Sequence, residues 1–275
     1  MEESDIRNYV RDRYAGIARQ GGSCCGPQAS SCCGGPTPES ASGKIGYSPA
    51  EMASVPEGAN LGLGCGNPTA IASLEPGETV LDLGSGAGFD CFLAARAVGD
   101  SGRVIGVDMT PEMVEKARGN ARKHGYRNVE FRLGEIEHLP AADASVDAVL
   151  SNCVINLSPA KEAVFAEAYR VLKPGGRVMI SDIVLAGDLP DAVAKSLPAY
   201  AGCVAGAIRK EEYLRLMEKA GFRDVRVVRE ERFEMGQEEL ADYARNLSGA
   251  GDISPEAVRD AAKAIRSVSV FGTKP

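Results

Sequence analysis

The feature that most constrains this chain is a short apolar run passing straight into a glycine-rich turn, "VLDLGSGAGFD" at residues 80–90. Asp82, Gly84, Gly86 and Gly88 stand in the order acidic-x-Gly-x-Gly-x-Gly. Glycines at this spacing let the backbone turn with positive φ and approach a ligand closely, and the helix N-terminus behind them favours an anionic group. From about residue 76 onward the same rhythm repeats. "ETVLDLG", "GRVIGVDM", "NVEFRLG", "VDAVLSN" and "GRVMISDIV" are β-branched runs bounded by turn residues, and helical stretches alternate with them. Pro111 to His124 follows Thr110, a candidate N-cap, with Pro at the first helical position and then Glu112. Ala160 to Leu172 has apolar residues at helical spacing and is closed by "KPGGR". Strand and helix in alternation predict a mostly parallel sheet covered on both faces, with ligands beyond the carboxyl ends of the strands.

At 275 residues and 44% hydrophobic, the chain is expected to be one large domain with an appendage. The division falls between residues 1–46 and 47–275. Residues 4–19 read as an amphipathic helix with Ile6, Val10 and Ile17 on its apolar face. From Gly21 to Gly43 large apolar side chains almost vanish, so this segment is expected to be flexible. It holds a small repeat, "SCCGP" and then "SCCGGP", which carries Cys24, Cys25, Cys32 and Cys33. A net charge of −7 argues against nucleic acid or an anionic membrane as partner and towards a small molecule. No apolar run reaches membrane-spanning length and the charged start is unlike a signal peptide, so the expected location is the cytoplasm. The expected state is a monomer. Eight cysteines among reduced thiols serve metal binding or redox chemistry more often than a disulfide framework.

Asp108 ends the second run about twenty residues beyond the last glycine, where a carboxylate can accept both hydroxyls of a ribose. A nicotinamide dehydrogenase is the plain alternative, but its fingerprint places a third glycine where this chain has Phe89. "GEIEHLP" puts Glu135 and the Ile136 amide at the third strand end, and "LKPGGR" precedes the fifth. Together these motifs resemble the class I S-adenosylmethionine-dependent methyltransferases across roughly residues 75–275; "GFRDVRVV" and "SVSVFGTKP" look like that family's final antiparallel strand pair. The resemblance implies an α/β, Rossmann-like fold with a seven-stranded, mostly parallel sheet, helices on both faces, and here a Cys-rich N-terminal extension. It implies S-adenosylmethionine as cofactor. Gly84 and Gly86 then meet its methionyl end, Asp108 its ribose, Glu135 and Ile136 its adenine, and the Asn152 carbonyl its amino group. Asp82, Gly88 and Met109 complete that set.

An alcohol or amine acceptor usually needs a base or a metal, and the chain has only His124 and His138. His124 closes a helix before a glycine, and His138 suits a surface or supporting place. Thiols stand where a base would. Cys65 lies in "NLGLGCGNP", Cys153 at the end of the fourth strand in "LSNCVINLSP", and Cys203 in "YAGCVAGA". Three thiols without His or carboxylate do not suit magnesium, and zinc usually takes four ligands. Trivalent arsenic takes three sulfurs in a pyramid. At this point "NLGLGCGNP", "LDLGSGAGFDCFLAA", "SNCVINL" and "AGCVAGA" resemble the arsenite methyltransferases, which implies that Cys65, Cys153 and Cys203 hold arsenic.

On that reading three thiolates present arsenic to the sulfonium methyl, and alignment supplies on the order of 7–11 kcal/mol in favourable systems. The expected substrate is arsenite or an arsenic–glutathione conjugate. The oxidised arsenic is restored as two cysteines form a disulfide, which thioredoxin or glutathione reduces. Cys24, Cys25, Cys32 and Cys33 suit an auxiliary relay, while Cys91 reads as a small packed hydrophobe with a redox role as its alternative. Two competing functions are a methyltransferase for an organic substrate such as a quinone or sterol, and a non-catalytic metalloid-binding protein.

Overall fold

The computed structural model describes residues 2–20, 37–232 and 254–275. Cys24, Cys25, Cys32 and Cys33 lie outside the described residues. The first helix, α1 (Glu3–Gln20), is followed by three short ones, α2 (Pro38–Lys44), α3 (Pro49–Ala53) and α4 (Pro68–Ile71). Then come β1 (Thr79–Leu83), α5 (Phe89–Val98), β2 (Arg103–Asp108), α6 (Pro111–Lys123), β3 (Val129–Leu133), β4 (Val146–Asn152), α7 (Lys161–Val171) and β5 (Leu172–Leu185). The remainder is α8 (Asp191–Ala194), α9 (Leu197–Ala201), α10 (Lys210–Ala220), β6 (Arg223–Arg232), α11 (Pro255–Ala264) and β7 (Ile265–Thr273).

The strands form one seven-stranded sheet in the order β3-β2-β1-β4-β5-β7-β6. β7 runs antiparallel to both β5 and β6, and the other neighbours are parallel. The expected antiparallel pair at the carboxyl end is therefore present. Alternate side chains on a strand point to opposite faces, and the packing follows that period. Val80, Ala148, Leu150 and Met179 join α5 and α6 through Phe92, Ala95, Val114 and Ala117. Leu81, Leu83, Val149, Val178 and Ile180 face the other way and meet α7 and α10 through Phe165, Ala168, Leu216 and Met217. Each such large side chain, wholly removed from water, contributes roughly 1.5–3 kcal/mol.

The strand order reverses between β1 and β4, which pair with Leu83 opposite Ser151. Ligands of open α/β sheets settle at that kind of switch point because the connections leave in opposite directions and open a crevice. A third apolar cluster caps this end. In it Ile6 and Val10 of α1 meet Cys65, Cys153, Cys203, Tyr200 of α9 and Val258 of α11.

One local expectation is corrected and two are refined. Part of the Gly21–Gly43 stretch is ordered: Thr37 caps α2 by accepting from the Ser40 amide, Pro38 starts the helix, and the Ser42 hydroxyl donates to Asn60 Oδ1 at 2.8 Å. These local hydrogen bonds compensate for the missing apolar side chains. Thr110 has N-cap geometry, but its side chain makes no capping bond to α6; its own amide donates to Asp108 instead. The "KPGGR" segment closes the helix as expected: α7 ends at Val171, β5 begins at Leu172, and the pairing of β5 with β4 shifts register between Val146 and Ala148.

Candidate active site

The turn after β1 brings backbone, not side chains, to the crevice. Gly84 has φ of 66°, and a Cβ there would lie 2.4 Å from a methyl carbon of Val154, so the loop closes against the segment after β4 only with glycine. Gly86, at φ 52°, lines the cleft, and a Cβ there would project into open space. The cleft holds about 1070 Å³ of empty space, its open mouth included. Asp108 stands at the end of β2 and accepts from the amides of Gly86 at 2.9 Å and Thr110 at 2.8 Å, one on each oxygen. A carboxylate has lone pairs beyond those two bonds, and these remain for a diol. Burial raises the Asp108 pKa from its ordinary value.

Along the same cleft lie Asp82, Ser85, Met109, Ile136, Asn152 and Cys153. The Ser85 hydroxyl is buried with no partner, an unmet donor at the loop that a polar ligand would satisfy. Apolar flanks, a carboxylate with lone pairs left for a diol, two further acidic groups at Asp82 and Asp90 and an open backbone at Gly86 together fit a nucleoside sulfonium such as S-adenosylmethionine.

Asn152, the last residue of β4, ties this cleft to the first cysteine. Its Oδ1 accepts from the Cys65 amide at 3.0 Å. Its Nδ2 shares two protons among Tyr47 Oη at 2.9 Å, Gly66 O at 2.9 Å and Asp90 Oδ2 at 3.0 Å. Tyr47 donates in turn to Asp90 Oδ1 at 2.5 Å. Burial pushes Asp90 up to about 6, and it drives Asp82 well above the usual range, reinforced by the negative charge of Asp90.

The three predicted cysteines do converge. Cys65 precedes α4, Cys153 follows β4, and Cys203 follows α9; all are buried. The sulfurs of Cys65 and Cys153 and a carboxylate oxygen of Asp182 all lie within 4.8 Å of one another. Cys203 Sγ donates to the Cys153 carbonyl at 2.8 Å, and Cys65 Sγ donates to the Ser181 carbonyl at 3.4 Å. Cys153 and Cys203 occupy the left-handed backbone region, at φ 58° and 64°, which costs a residue bearing a Cβ about 1–2 kcal/mol. Such strain persists where the surroundings fix it, and here that fixes two thiols beside each other.

Burial pushes the Cys65 thiol up to about 11. The Cys203 thiol is raised by its hydrogen bond to Cys153 and then by burial. For Cys153 the bond with Cys203 lowers the pKa, but the bond with Cys65 and burial together outweigh it. With arsenic absent these groups therefore rest as neutral thiols. An arsenous acid that loses hydroxyl groups as water can take such thiols without net proton release.

Not every expected residue faces the cleft. Glu135 turns its carboxylate to Arg11 of α1 at 3.3 Å and is not part of the cleft wall; Ile136 and Glu137 are. Gly88 lies behind the wall, where a Cβ would strike Phe92 and Phe131. Cys91 is buried and donates to Asp82 Oδ2 at 3.2 Å, and burial holds its pKa well above that of a free thiol. His124 closes α6, and His138 is exposed.

Sequence reasoning missed Tyr47, Asp90 and the polar group around Asp182. Asp182 accepts from Asn156 Nδ2 at 2.8 Å, the Ile183 amide at 2.8 Å and Tyr213 Oη at 3.1 Å. Burial pushes it up to about 6, and Lys161, itself pushed down to about 8 by burial, opposes that rise. One signal was available, because a lone aspartate inside the apolar run "RVMISDIVL" of a central strand must find partners.

Residues 74–221 match the methyltransferase-domain family. The chain is 55% identical over 232 residues to an arsenite methyltransferase of Halobacterium salinarum, covering 82% of this chain and 59% of the relative. It is 42% identical over 158 residues to the human arsenite methyltransferase, covering 54% of this chain and 42% of that one. The chain thus spans about half the length of the curated relatives it matches. Its structure resembles that of an arsenic(III) S-adenosylmethionine methyltransferase from Chlamydomonas reinhardtii, with TM-score 0.63, 36% identity, 85% of this chain and 73% of the other covered.

Proposed function

This chain belongs to the methyltransferase-domain family and, within it, to the arsenic(III) methyltransferases; from that premise we propose that it transfers methyl groups from S-adenosylmethionine to trivalent arsenic held by Cys65, Cys153 and Cys203. The observation that carries the reading is Cys153, which belongs at once to the thiol cluster and to the wall of the cofactor cleft. A substrate bound to this sulfur is next to whatever fills the cleft.

S-Adenosylmethionine, when bound, supplies an electrophilic methyl on a sulfonium. The residues of this chain do the rest. Asp108, held in place by the Gly86 amide, orients the nucleoside, while the acidic groups of Asp82 and Asp90 favour its cationic end. Cys65, Cys153 and Cys203 bind arsenic by exchanging three S–H bonds for three As–S bonds as three hydroxyls leave as water. The resulting pyramid keeps the arsenic lone pair as nucleophile, so no base is required, and neither histidine is needed. Asn152 holds the Cys65 loop against the cleft through the Cys65 amide. Burial of all three sulfurs excludes water from the arsenic.

Methylation leaves arsenic formally oxidised, and disulfide formation between two of the cysteines returns it to the trivalent state, with thioredoxin or glutathione as the external reductant. No helix among the described residues is long and apolar enough to cross a membrane. Cys153→Ser is expected to abolish formation of methylarsenicals from arsenite, S-adenosylmethionine and a thioredoxin system, with cofactor affinity nearly unchanged in calorimetry. Retained methylation, or methylation of a quinone at wild-type rate, would move the reading to an organic acceptor.

A further inference from the structure

The carboxylate beside the thiols is unexplained by arsenic chemistry. Three thiolates already neutralise trivalent arsenic, and a hard oxygen adds little to a soft acceptor. Yet Asp182 presents an oxygen within 4.8 Å of both Cys65 Sγ and Cys153 Sγ, with no solvent exposure of its own. We propose that Cys65, Cys153 and Asp182, with Cys203 as the adjoining fourth donor, form a site for a divalent cation of borderline softness, zinc or cadmium, which competes with arsenic for the same thiols. The inference shares the convergence of Cys65 and Cys153 with the arsenic reading and adds Asp182 to it.

Three observations favour a cation there. Zinc bonds of about 2.3 Å to sulfur and about 2.1 Å to oxygen place tetrahedral donors roughly 3.6–3.8 Å apart, and the three donor atoms at rest all lie within 4.8 Å of one another. Ligating carboxylates are normally oriented by outer hydrogen bonds, and Asp182 has three such donors in Asn156, Tyr213 and the Ile183 amide. Tyr213 donates to Oδ2, and a carboxylate oxygen that accepts one such bond keeps a further lone pair for a metal. The local charge is also partly met. Three thiolates and one carboxylate around a divalent ion leave two negative charges, and the buried Lys161 ammonium, which interacts with Asp182 and Cys203, offsets one of them. On binding, each ligating thiol gives its proton to solvent, and no oxidation takes place.

The test uses the full chain with Cys24, Cys25, Cys32 and Cys33 replaced by serine, so that only the buried cluster offers thiols beside Cys91. Zinc chloride is titrated against a chromophoric chelator, and arsenite is titrated separately. One zinc per chain is expected, and Asp182→Asn is expected to weaken zinc by at least about tenfold, the scale of losing even an outer partner, while arsenite affinity is unchanged. No zinc binding, unchanged zinc affinity in Asp182→Asn, or an equal loss for both ligands would overturn the proposal. Zinc binding without arsenite binding would leave it standing and sink the arsenic reading instead. If Asp182→Asn does not fold, cadmium NMR of the parent chain decides: a resonance in the mixed sulfur–oxygen range supports the proposal, and an all-sulfur position refutes it.

Discussion

Gly84 and Gly86 sit two residues apart in one turn, both at positive φ, and the same substitution should do different things to them. At Gly84 an alanine methyl would lie 2.4 Å from one Val154 carbon and 2.7 Å from another. Overpacking of that kind costs about 1–3 kcal/mol, and the left-handed backbone adds about 1–2 kcal/mol, so Gly84→Ala should lose about 2–5 kcal/mol of stability. At Gly86 the methyl meets nothing within 4 Å, and only the backbone cost of about 1–2 kcal/mol remains. That methyl does enter the cleft where the Gly86 amide meets Asp108, so cofactor affinity should fall by at least about tenfold, or about 1.4 kcal/mol. Urea unfolding followed by far-ultraviolet dichroism gives the first quantity, and calorimetric titration with S-adenosylmethionine the second. Equal stability losses, or full cofactor affinity in Gly86→Ala, would refute the assignment of one glycine to packing and the other to the ligand.

At Cys203, φ 64° favours a residue without Cβ, so Cys203→Gly should be more stable than Cys203→Ala by about 1 kcal/mol, the reverse of the usual order, as read by denaturant midpoints. Asp182 has its folded pKa raised from 3.8 to about 6, so the stability linked to its protonated form is complete below 3.8 and is lost as pH rises through about 6. Replacing it by Asn should therefore make the protein more stable than the parent by up to about 3 kcal/mol above pH 6, with the gap closing towards pH 4; a gap independent of pH would contradict the buried charge.

Much of the fold is legible in the sequence because the physics there is local. Alternating β-branched runs carry the parallel strands, and Ile6, Val10 and Ile17 mark the buried face of α1, where all three are indeed buried. The glycine loop and Asp108 are legible because a turn of positive φ and a carboxylate at a strand end each leave a residue-type signature. The cysteine cluster is a different case. Cys65, Cys153 and Cys203 come from three separate loops, and their meeting depends on the strand order around β1 and β4, which spacing alone does not reveal. Resemblance to a family linked them, and the geometry brings them together. Tyr47 and Asn156 left no signal, since each acts through hydrogen bonds to elements distant in sequence. Glu135 misled for a related reason: α1 supplies Arg11 as its partner, and nothing in the β3 segment announces that contact.

The account rests on three sulfurs around one arsenic atom. X-ray absorption at the arsenic edge, on the chain with Cys24, Cys25, Cys32 and Cys33 replaced by serine and loaded with arsenite, measures that directly. Three sulfur neighbours and no oxygen are predicted, falling to two sulfurs in Cys203→Ser. A spectrum that keeps an oxygen neighbour in the parent chain, or is unaffected by loss of Cys203, would contradict it.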